Sequence, residues 1–293
     1  MTIITKDQTS AAGTDKAFLK QQYLLQNQKK VVIAPVSSLR FGHCLEIDLF
    51  PFKMCTFNCI YCQRGHTDFK TVVRREPVSV DKVIAELETK LPAKPDYIMI
   101  SGSGEPTLYS GIGELIESIR MLTDIPVAVL TNGSLLWHKE VRKSLLNADL
   151  VVPSLDATSD LMFQTINRPH TDISFEQLIE GMTDFRSEYS GRYWLEIMLL
   201  AGYTAILSEI TKLADYVKKI RPDKVQLNTI TTSAAESYAQ AVEQNRLNEL
   251  AAFFEPLVEV IADFDGTNNL SQLNIKNNVI LTPKMKGDHY ARI

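Results

Sequence analysis

The sequence has few cysteines and no long apolar run, and both absences limit the class of protein. Only four of the 293 residues are cysteine, which argues against a small secreted domain held by disulfides. No window contains the 18 or so consecutive apolar residues that a membrane-spanning helix needs. Residues 1–12 are polar and do not resemble a secretory signal. We therefore expect a cytoplasmic protein with reduced thiols and no membrane partner.

The chain also lacks an excess of basic charge. Its formal net charge is −4 and its isoelectric point is near 5.8. The basic pairs at residues 29–30, 74–75 and 218–219 are isolated, which is typical of a solvated surface. Composition therefore gives no broad basic face for nucleic-acid phosphates, although a local basic rim around a site could still bind RNA.

Short apolar runs alternate with longer amphipathic stretches from about residue 44 onward. The runs predict six β-strands, at residues 44–50, 97–101, 127–131, 150–155, 193–200 and 224–229. The stretches predict helices at residues 79–91, 112–122, 138–147, 174–189, 207–220 and 241–263. Strands separated by helices predict βαβ units and a parallel sheet, because parallel neighbours must be joined by a crossover.

The predicted fold class is therefore α/β, with six βα units that fit a partial (βα)6 TIM-like barrel. An open doubly wound sheet is the alternative, and hydrophobic periodicity does not separate the two. We predict a core domain over residues 31–265, an N-terminal extension at 1–30 with a short helix at 16–26, and a C-terminal extension at 266–293 with a strand-like segment at 278–281.

Small and polar residues follow four of the predicted strands. They occupy residues 101–105, 131–133, 154–156 and 228–229. Turns and helix caps would explain each set on its own, but the carboxyl ends of parallel strands share one edge of the sheet, where catalytic groups gather. Glu196, inside the fifth predicted strand, is costly to bury unless it is paired, so Glu196 and Asn228 are candidates to face the same cavity.

Three of the four cysteines, Cys55, Cys59 and Cys62, lie within eight residues in a C-x3-C-x2-C spacing. This spacing lets one loop wrap an iron–sulfur cluster, and three thiolates on a four-iron cube leave one iron free to bind a small molecule. A zinc site completed by His66 is an alternative. Cys44 is either a fourth cluster ligand, as in an electron-transfer protein, or a small buried strand residue. We expect the cysteine loop to lie outside the hydrophobic core.

The cysteine spacing, with aromatic Tyr61 before the last cysteine, resembles the signature of the radical S-adenosylmethionine (SAM) superfamily. The resemblance implies a partial radical SAM barrel, a [4Fe–4S] cluster on the three cysteines, and S-adenosyl-L-methionine bound to the open iron. It also implies that an electron from a donor such as flavodoxin or ferredoxin cleaves this cofactor to a 5′-deoxyadenosyl radical. That radical would take hydrogen from a substrate, a small molecule or an RNA, that the sequence does not identify.

The same resemblance assigns expected roles to the strand ends. Residues 101–105 are similar to the family's Gly-Gly-Glu segment, so Glu105 is the expected charged contact to the methionine ammonium. Polar residues after the next two strands are expected to meet the methionine carboxylate and the ribose hydroxyls. The expected cofactor-binding residues are Tyr61, Gly102, Ser103, Gly104, Glu105, Thr131, Asn132, Ser154 and Asp156.

Further motifs resemble the wyosine-synthase-like (tRNA imidazoguanosine synthetase-like) group, whose enzymes build a tricyclic base on tRNA. They include Phe41-Gly-His-Cys-Leu-Glu-Ile-Asp, Asn167-Arg-Pro-His and Trp194-Leu-Glu-Ile-Met, and the likeness covers roughly residues 31–265. Those enzymes carry a second three-cysteine cluster, which the single remaining cysteine excludes here. In the second motif Arg168 could clamp an anion and His170 could act as an acid or base, with a solvated turn as the alternative.

Overall fold

The computed structural model describes residues 30–264. An eight-stranded sheet has the strand order β1-β2-β5-β6-β7-β8-β9-β10, and β3 pairs with β4 in a separate two-stranded sheet. The strands are β1 Val32–Ser38, β2 Gly42–Asp48, β3 Met54–Cys55, β4 Phe69–Lys70, β5 Tyr97–Ser101, β6 Val127–Thr131, β7 Leu150–Pro153, β8 Arg192–Met198, β9 Lys224–Asn228 and β10 Val258–Val260. Strand β1 is antiparallel to β2, and every other neighbouring pair is parallel.

Helices connect most of the parallel strands. They are α1 Val80–Glu88, α2 Ile112–Leu122, α3 Lys139–Leu145, α4 Asp160–Ile166, α5 Phe175–Glu188, α6 Leu207–Ile220 and α7 Gln244–Ala251, with 3₁₀-helices at Leu91–Ala93, Pro106–Leu108 and Ala252–Phe254. Several begin at a serine that the sequence places just before the apolar pattern. The side chains of Ser79, Ser159 and Ser174 accept hydrogen bonds from the first turns of α1, α4 and α5, which satisfies otherwise unpaired backbone N–H groups.

The six predicted strands all lie in the parallel part of the sheet, which confirms the α/β fold class. Strands β1 and β10 form its two edges in the described region, so the barrel is partial. The helices predicted at residues 112–122 and 207–220 have the predicted bounds. Neither β1 nor α4 is among the predicted elements.

The helix predicted at residues 241–263 is wrong over its second half. Helix α7 ends at Ala251, and after a 3₁₀-helix the chain forms β10, which pairs with β9. Pro256 is the physical reason, because proline lacks a backbone donor and disfavours helical geometry in the residue before it. The edge of β9 that would otherwise be unpaired supplies the backbone hydrogen-bond partners of β10.

The sheet has two faces with separate apolar clusters. The convex face packs against the helices, and the concave face holds Phe41, Cys44, Met99, Ala128, Leu150 and Val152. Phe41, in the turn between β1 and β2, contacts Tyr97 on β5 and Trp194 on β8, with ring centroids 5.1 and 5.9 Å away. The sheet is therefore curved enough for side chains to meet across its concave face.

The helix predicted at residues 16–26 and the strand-like segment at 278–281 lie outside the described residues. The division into a core and two extensions stays a prediction. Among the helices that are described, none has the length and apolar character needed to cross a membrane.

Candidate functional site

The three clustered cysteines lie at the end of β3 and in the loop that follows it. All three are free thiols and half-buried. The loop is anchored by Phe57 and Ile60, which are only 2% and 1% exposed. The expectation that this loop lies outside the core is therefore wrong, because its apolar residues pack into the core while its cysteines stay accessible.

Backbone hydrogen bonds dock the cysteine loop on two other loops. Asn58 N donates to Asn167 O at 3.0 Å and Ile60 N to Ile166 O at 2.9 Å, both at the end of α4. Glu236 N, in the loop after β9, donates to Ile60 O at 2.9 Å. The positions of the cysteines are thus fixed by main-chain contacts, which hold a site more firmly than a free loop would.

Two of the three thiols accept hydrogen bonds from N–H groups. The Phe57 backbone and the Asn132 side chain each donate to Cys55 Sγ, and the Asn167 side chain donates to Cys59 Sγ, all at 3.5 Å. Burial, followed by the charge of Glu105, raises the pKa of the Cys55 thiol to about 12, and burial likewise raises the pKa of Cys59. A bound metal cation has the opposite effect on the pKa, because a thiol that ligates a metal is deprotonated.

The donor set fits a cluster better than a single zinc ion. Among the described residues, no three His, Cys, Asp or Glu side chains converge closely enough to hold one ion. Zinc needs such convergence because its ligands lie about 2.0–2.3 Å from one centre, whereas each thiolate of an iron–sulfur cluster binds its own iron atom. His66, the proposed fourth zinc ligand, is exposed.

Cys44 lies away from the other cysteines, on β2. Its side chain is fully buried in the concave-face cluster with Phe41 and Met99. Burial, with the charges of Asp96 and Glu46, raises the pKa of its thiol to about 12. These surroundings match a packed strand residue.

The glycine-rich turn after β5 fits tightly against β2 and the cysteine loop. Gly102 has a φ of +105°, and a Cβ there would overlap the carboxylate of Asp48. That carboxylate accepts from Ser103 N at 3.0 Å and from Ser103 Oγ at 2.6 Å. A Cβ on Gly104 would overlap Met54 O. Both positions therefore require glycine, because neighbouring atoms lie where a Cβ would be. Asp48, at the carboxyl end of β2, is a site residue that the sequence analysis missed.

Glu105 is buried and accepts four hydrogen bonds. They come from Thr107 N and Thr107 Oγ1, from Thr131 Oγ1 at 2.5 Å, and from Asn132 N at 2.7 Å. Burial raises the pKa of Glu105, and these bonds oppose the rise. Glu105 thus joins the ends of β5 and β6, and the expected contact to a ligand ammonium stays a prediction.

Asn132 connects the end of β6 to the cysteine loop. Besides its contact with Cys55, its side-chain amide donates to Thr56 Oγ1 at 2.7 Å. Thr56 also shares a hydrogen bond of 2.7 Å with Ser134. The strand end predicted to bind a cofactor therefore borders the cysteines directly.

Asp156 lies where the cysteine loop meets β8. Its carboxylate accepts from the hydroxyl of Tyr61, from Asn167 Nδ2 at 3.0 Å and from Met198 N at 2.9 Å. Burial raises the pKa of Asp156 to about 6, against the opposing effect of these hydrogen bonds. Ser154 is half-buried and bridges β8 at Glu196. Asn167 was missed as a site residue, and its place beside Arg168 in the quoted motif was the available signal.

Glu196 and Asn228 do face the concave side, as expected. Glu196 pairs with Arg40 from the β1–β2 turn and accepts from Asn228 Nδ2 at 3.0 Å. Burial acts to raise the pKa of Glu196, but the charge and hydrogen bond of Arg40, with the Asn228 bond, outweigh it and lower the pKa. The pairing removes the cost of burying this strand glutamate, and Arg40 is a further residue that the sequence analysis missed.

Arg168 and His170 hold loops together in this structure. Arg168 has a φ of +48° and pairs with Glu236 at 2.5 Å and with the Tyr238 hydroxyl at 2.5 Å. His170 N donates to Thr56 O at 2.8 Å. Both residues therefore support the cysteine loop from the α4–α5 connection.

Comparisons of the sequence with known proteins identify its family. The sequence model of the Radical SAM superfamily matches residues 49–217, more than half of the chain. The UPF0026 protein MJ1312 of Methanocaldococcus jannaschii is 32% identical over 259 residues, which cover 85% of this chain and 80% of that protein. A protein named GTPase Obg from Brachyspira hyodysenteriae is 39% identical over 263 residues, and this chain spans only 39% of its length.

Solved structures show the same fold at low identity. A radical SAM methyltransferase from Sphaerobacter thermophilus aligns with a TM-score of 0.59 at 14% identity, over 75% of this chain and 66% of that one. TYW1 with a lysine-pyruvate adduct bound aligns with a TM-score of 0.56 at 16% identity, over 86% of this chain and 90% of that one. These likenesses support the fold, while the family rests on the sequence matches. The chain belongs to the radical SAM superfamily of enzymes and, within it, to the UPF0026 family.

Proposed function

We propose that Cys55, Cys59 and Cys62 hold a [4Fe–4S] cluster that leaves one iron open to S-adenosylmethionine. When bound, this pair supplies reductive cleavage to a 5′-deoxyadenosyl radical, which abstracts hydrogen from a substrate. The observation that carries the proposal is the set of three adjacent free thiols in one loop at the carboxyl ends of the strands.

The chain's own residues would bind and orient the cofactor. We propose that the turn of Gly102, Ser103 and Gly104 receives the methionine part. Its backbone is kept in place by the Asp48 carboxylate, which accepts from Ser103 N, and by Glu105 N, which donates to Met54 O. We propose that Thr131 and Asn132 position the cofactor beside the cysteine loop, and that Tyr61, Ser154 and Asp156 border its adenosyl part. Fixed donors and acceptors of this kind keep a reactive group oriented and shielded from water.

Anaerobic reconstitution tests this proposal. The protein with added iron and sulfide should be brown and, once reduced, should release 5′-deoxyadenosine from S-adenosylmethionine. Substituting Cys55, Cys59 or Cys62 by alanine should abolish release. Cys44→Ala is the matched control and should keep both cluster and release, because Cys44 lies in the concave-face cluster.

Two outcomes would favour a zinc module or an electron-transfer centre instead. A colourless protein that binds zinc, and loses it in His66→Ala, would support a Cys3His module. Loss of the cluster in Cys44→Ala would instead support an electron-transfer centre with four ligands.

We also propose a reductant such as flavodoxin or ferredoxin as the electron donor, and a cytoplasmic location. A reaction like that of the wyosine-synthase-like group remains a proposal for the substrate. It rests on the motifs Phe41-Gly-His-Cys-Leu-Glu-Ile-Asp and Asn167-Arg-Pro-His.

A further inference from the structure

Two asparagine side chains donate hydrogen bonds to cysteine sulfurs of the proposed cluster site. Asn132 Nδ2 lies 3.5 Å from Cys55 Sγ, and Asn167 Nδ2 lies 3.5 Å from Cys59 Sγ. Asn132 follows β6, and Asn167 is the C-cap of α4, so the two donors reach the cysteine loop from separate elements. Hydrogen bonds to the sulfurs are one of the features that set the reduction potential of an iron–sulfur cluster.

Other contacts fix which end of each amide faces the cysteine loop. Asn132 Oδ1 accepts from Ser134 N at 3.0 Å, so its nitrogen is the end that faces the loop. Asn167 Nδ2 donates to Asp156 Oδ2 at 3.0 Å, and an ionised carboxylate can only accept. The Tyr61 hydroxyl, 3.3 Å from the same nitrogen, gives its own hydrogen to Asp156. Because an NH₂ group has two hydrogens, each amide can serve an oxygen acceptor and a sulfur together.

Burial and two carboxylates oppose the addition of negative charge to these sulfurs. Burial, then the charge of Glu105, raises the pKa of the Cys55 thiol to about 12. Burial, then the charges of Cys55 and Asp156, raises the pKa of the Cys59 thiol. The hydrogen bond from Asn167 lowers it. Adding an electron to a cluster on these sulfurs is opposed for the same reasons, because the electron makes the site more negative.

Each of the two carboxylates also holds one asparagine in place. Glu105 Oε2 accepts from the Asn132 backbone N at 2.7 Å, and Asp156 Oδ2 accepts from the Asn167 side chain. Because Glu105 and Asp156 are buried, these contacts orient the N–H groups before any cluster binds. A hydrogen bond is stronger when its acceptor carries more negative charge, so each N–H stabilises a reduced cluster more than an oxidised one.

We infer that the side-chain amides of Asn132 and Asn167 raise the reduction potential of the proposed cluster and so favour its one-electron reduction. Both act through cysteine ligands, as positioning residues that hold an N–H group on a sulfur. The proposed reductant of the flavodoxin or ferredoxin class supplies the electron. The cluster passes from [4Fe–4S]²⁺ to [4Fe–4S]⁺, and no proton or leaving group moves. The inference rests on the proposed function, because it concerns the cluster proposed there.

A redox titration of the anaerobically reconstituted full chain measures this potential. It is followed by electron paramagnetic resonance, without S-adenosylmethionine. Asn132→Leu and Asn167→Leu keep a similar side-chain size and remove the donor. At a fixed applied potential, each should lower the ratio of reduced to oxidised cluster about three- to tenfold, which corresponds to about 30–60 mV for a one-electron couple.

Thr56→Val is the matched control within the cysteine loop. Thr56 Oγ1 accepts from Asn132 Nδ2 and shares a hydrogen bond with Ser134, so the substitution breaks bonds of the same network but keeps both amide donors to sulfur. It should leave the ratio unchanged, whereas a merely structural role of the asparagines predicts that it shifts the ratio as far as they do. Asn245→Leu, at an exposed position on α7, should also leave the ratio unchanged.

An unchanged or raised ratio in both asparagine variants, or an equal drop in Thr56→Val, would overturn the inference. Where a leucine variant takes up no cluster, the serine variant at that position decides, because its side chain is too short to reach the sulfur. Release of 5′-deoxyadenosine with no effect of the amides removes only this inference. A cluster that responds to the amides without such release removes only the proposed function, and a chain that takes up no cluster overturns both.

Discussion

At the residue scale, the polar side chains of the site are each held by several fixed partners. Glu105 accepts four hydrogen bonds, and the carboxylates of Asp48 and Asp156 are also bonded to neighbouring loops. A buried carboxylate without such partners would be strongly destabilising. Networks of this kind fix side-chain orientation before any ligand binds.

Glu105→Gln should weaken both folding and cofactor binding. The backbone N–H groups of Thr107 and Asn132 bond to different carboxylate oxygens, so an amide leaves one of them facing an NH₂ group. We expect a loss of about 1–3 kcal/mol in the free energy of unfolding, measured by urea denaturation, and slower release of 5′-deoxyadenosine.

Glu114→Gln is the control for this charge change. Glu114 is exposed on α2, so its substitution should alter stability by less than about 0.5 kcal/mol. Equal effects of the two substitutions would show that the Glu105 network does not stabilise the strand ends.

At the scale of elements, the site is made by loops that contact one another. The cysteine loop donates hydrogen bonds to the end of α4 and accepts one from the loop after β9. In the turn after β5, Glu105 N donates to Met54 O. The turn comes this close to β2 and β3 only because Gly102 and Gly104 lack a Cβ.

Gly102→Ala should destabilise the protein more than Gly202→Ala. Both glycines have positive φ, +105° and +76°, which costs an alanine about 1–2 kcal/mol. At Gly102 the new methyl group also overlaps Asp48, whereas at Gly202 it meets nothing within 4 Å. We expect a loss of about 2–4 kcal/mol for the first and about 1 kcal/mol for the second, from denaturant unfolding. Similar losses would argue against a tight turn.

At the scale of the whole molecule, the β1–β2 turn reaches across the open side of the curved sheet. It places Phe41 between rings from β5 and β8, and it brings Arg40 to Glu196. The antiparallel β1 therefore does more than add an edge strand to the sheet, because the β1–β2 turn fills part of the concave face.

Phe41→Ala should open this face and lower stability by about 3–5 kcal/mol, as expected for a buried aromatic side chain. Unfolding followed by tryptophan fluorescence reports the change, since Trp194 stacks on Phe41. Phe253→Ala, at a side chain that is 44% exposed, should cost much less. If Phe41→Ala proved as mild as Phe253→Ala, the turn would not be part of the core.

The site residues that could be predicted from the sequence belong to short motifs along the chain. The spacing of Cys55, Cys59 and Cys62 and the glycines of the turn after β5 are visible along the chain. Arg40 and Asp48 were missed because their partners lie 156 and 55 residues away in sequence. For Asn167, whose partner lies 108 residues away, the only signal was its place in a quoted motif. Their importance depends on which strands become neighbours.

The sequence by itself determined the alternation of strands and helices, the strand ends that carry polar residues, and the cysteine spacing that marks the superfamily. These follow from short-range periodicity and from the ligand chemistry of single residues. Only the tertiary structure decided that the cysteine loop is anchored in the core, that Glu105 is occupied by protein donors, and that Arg40 pairs with Glu196. The physical reason is that burial and pairing are properties of residues brought together by sheet curvature, which no local stretch of sequence encodes.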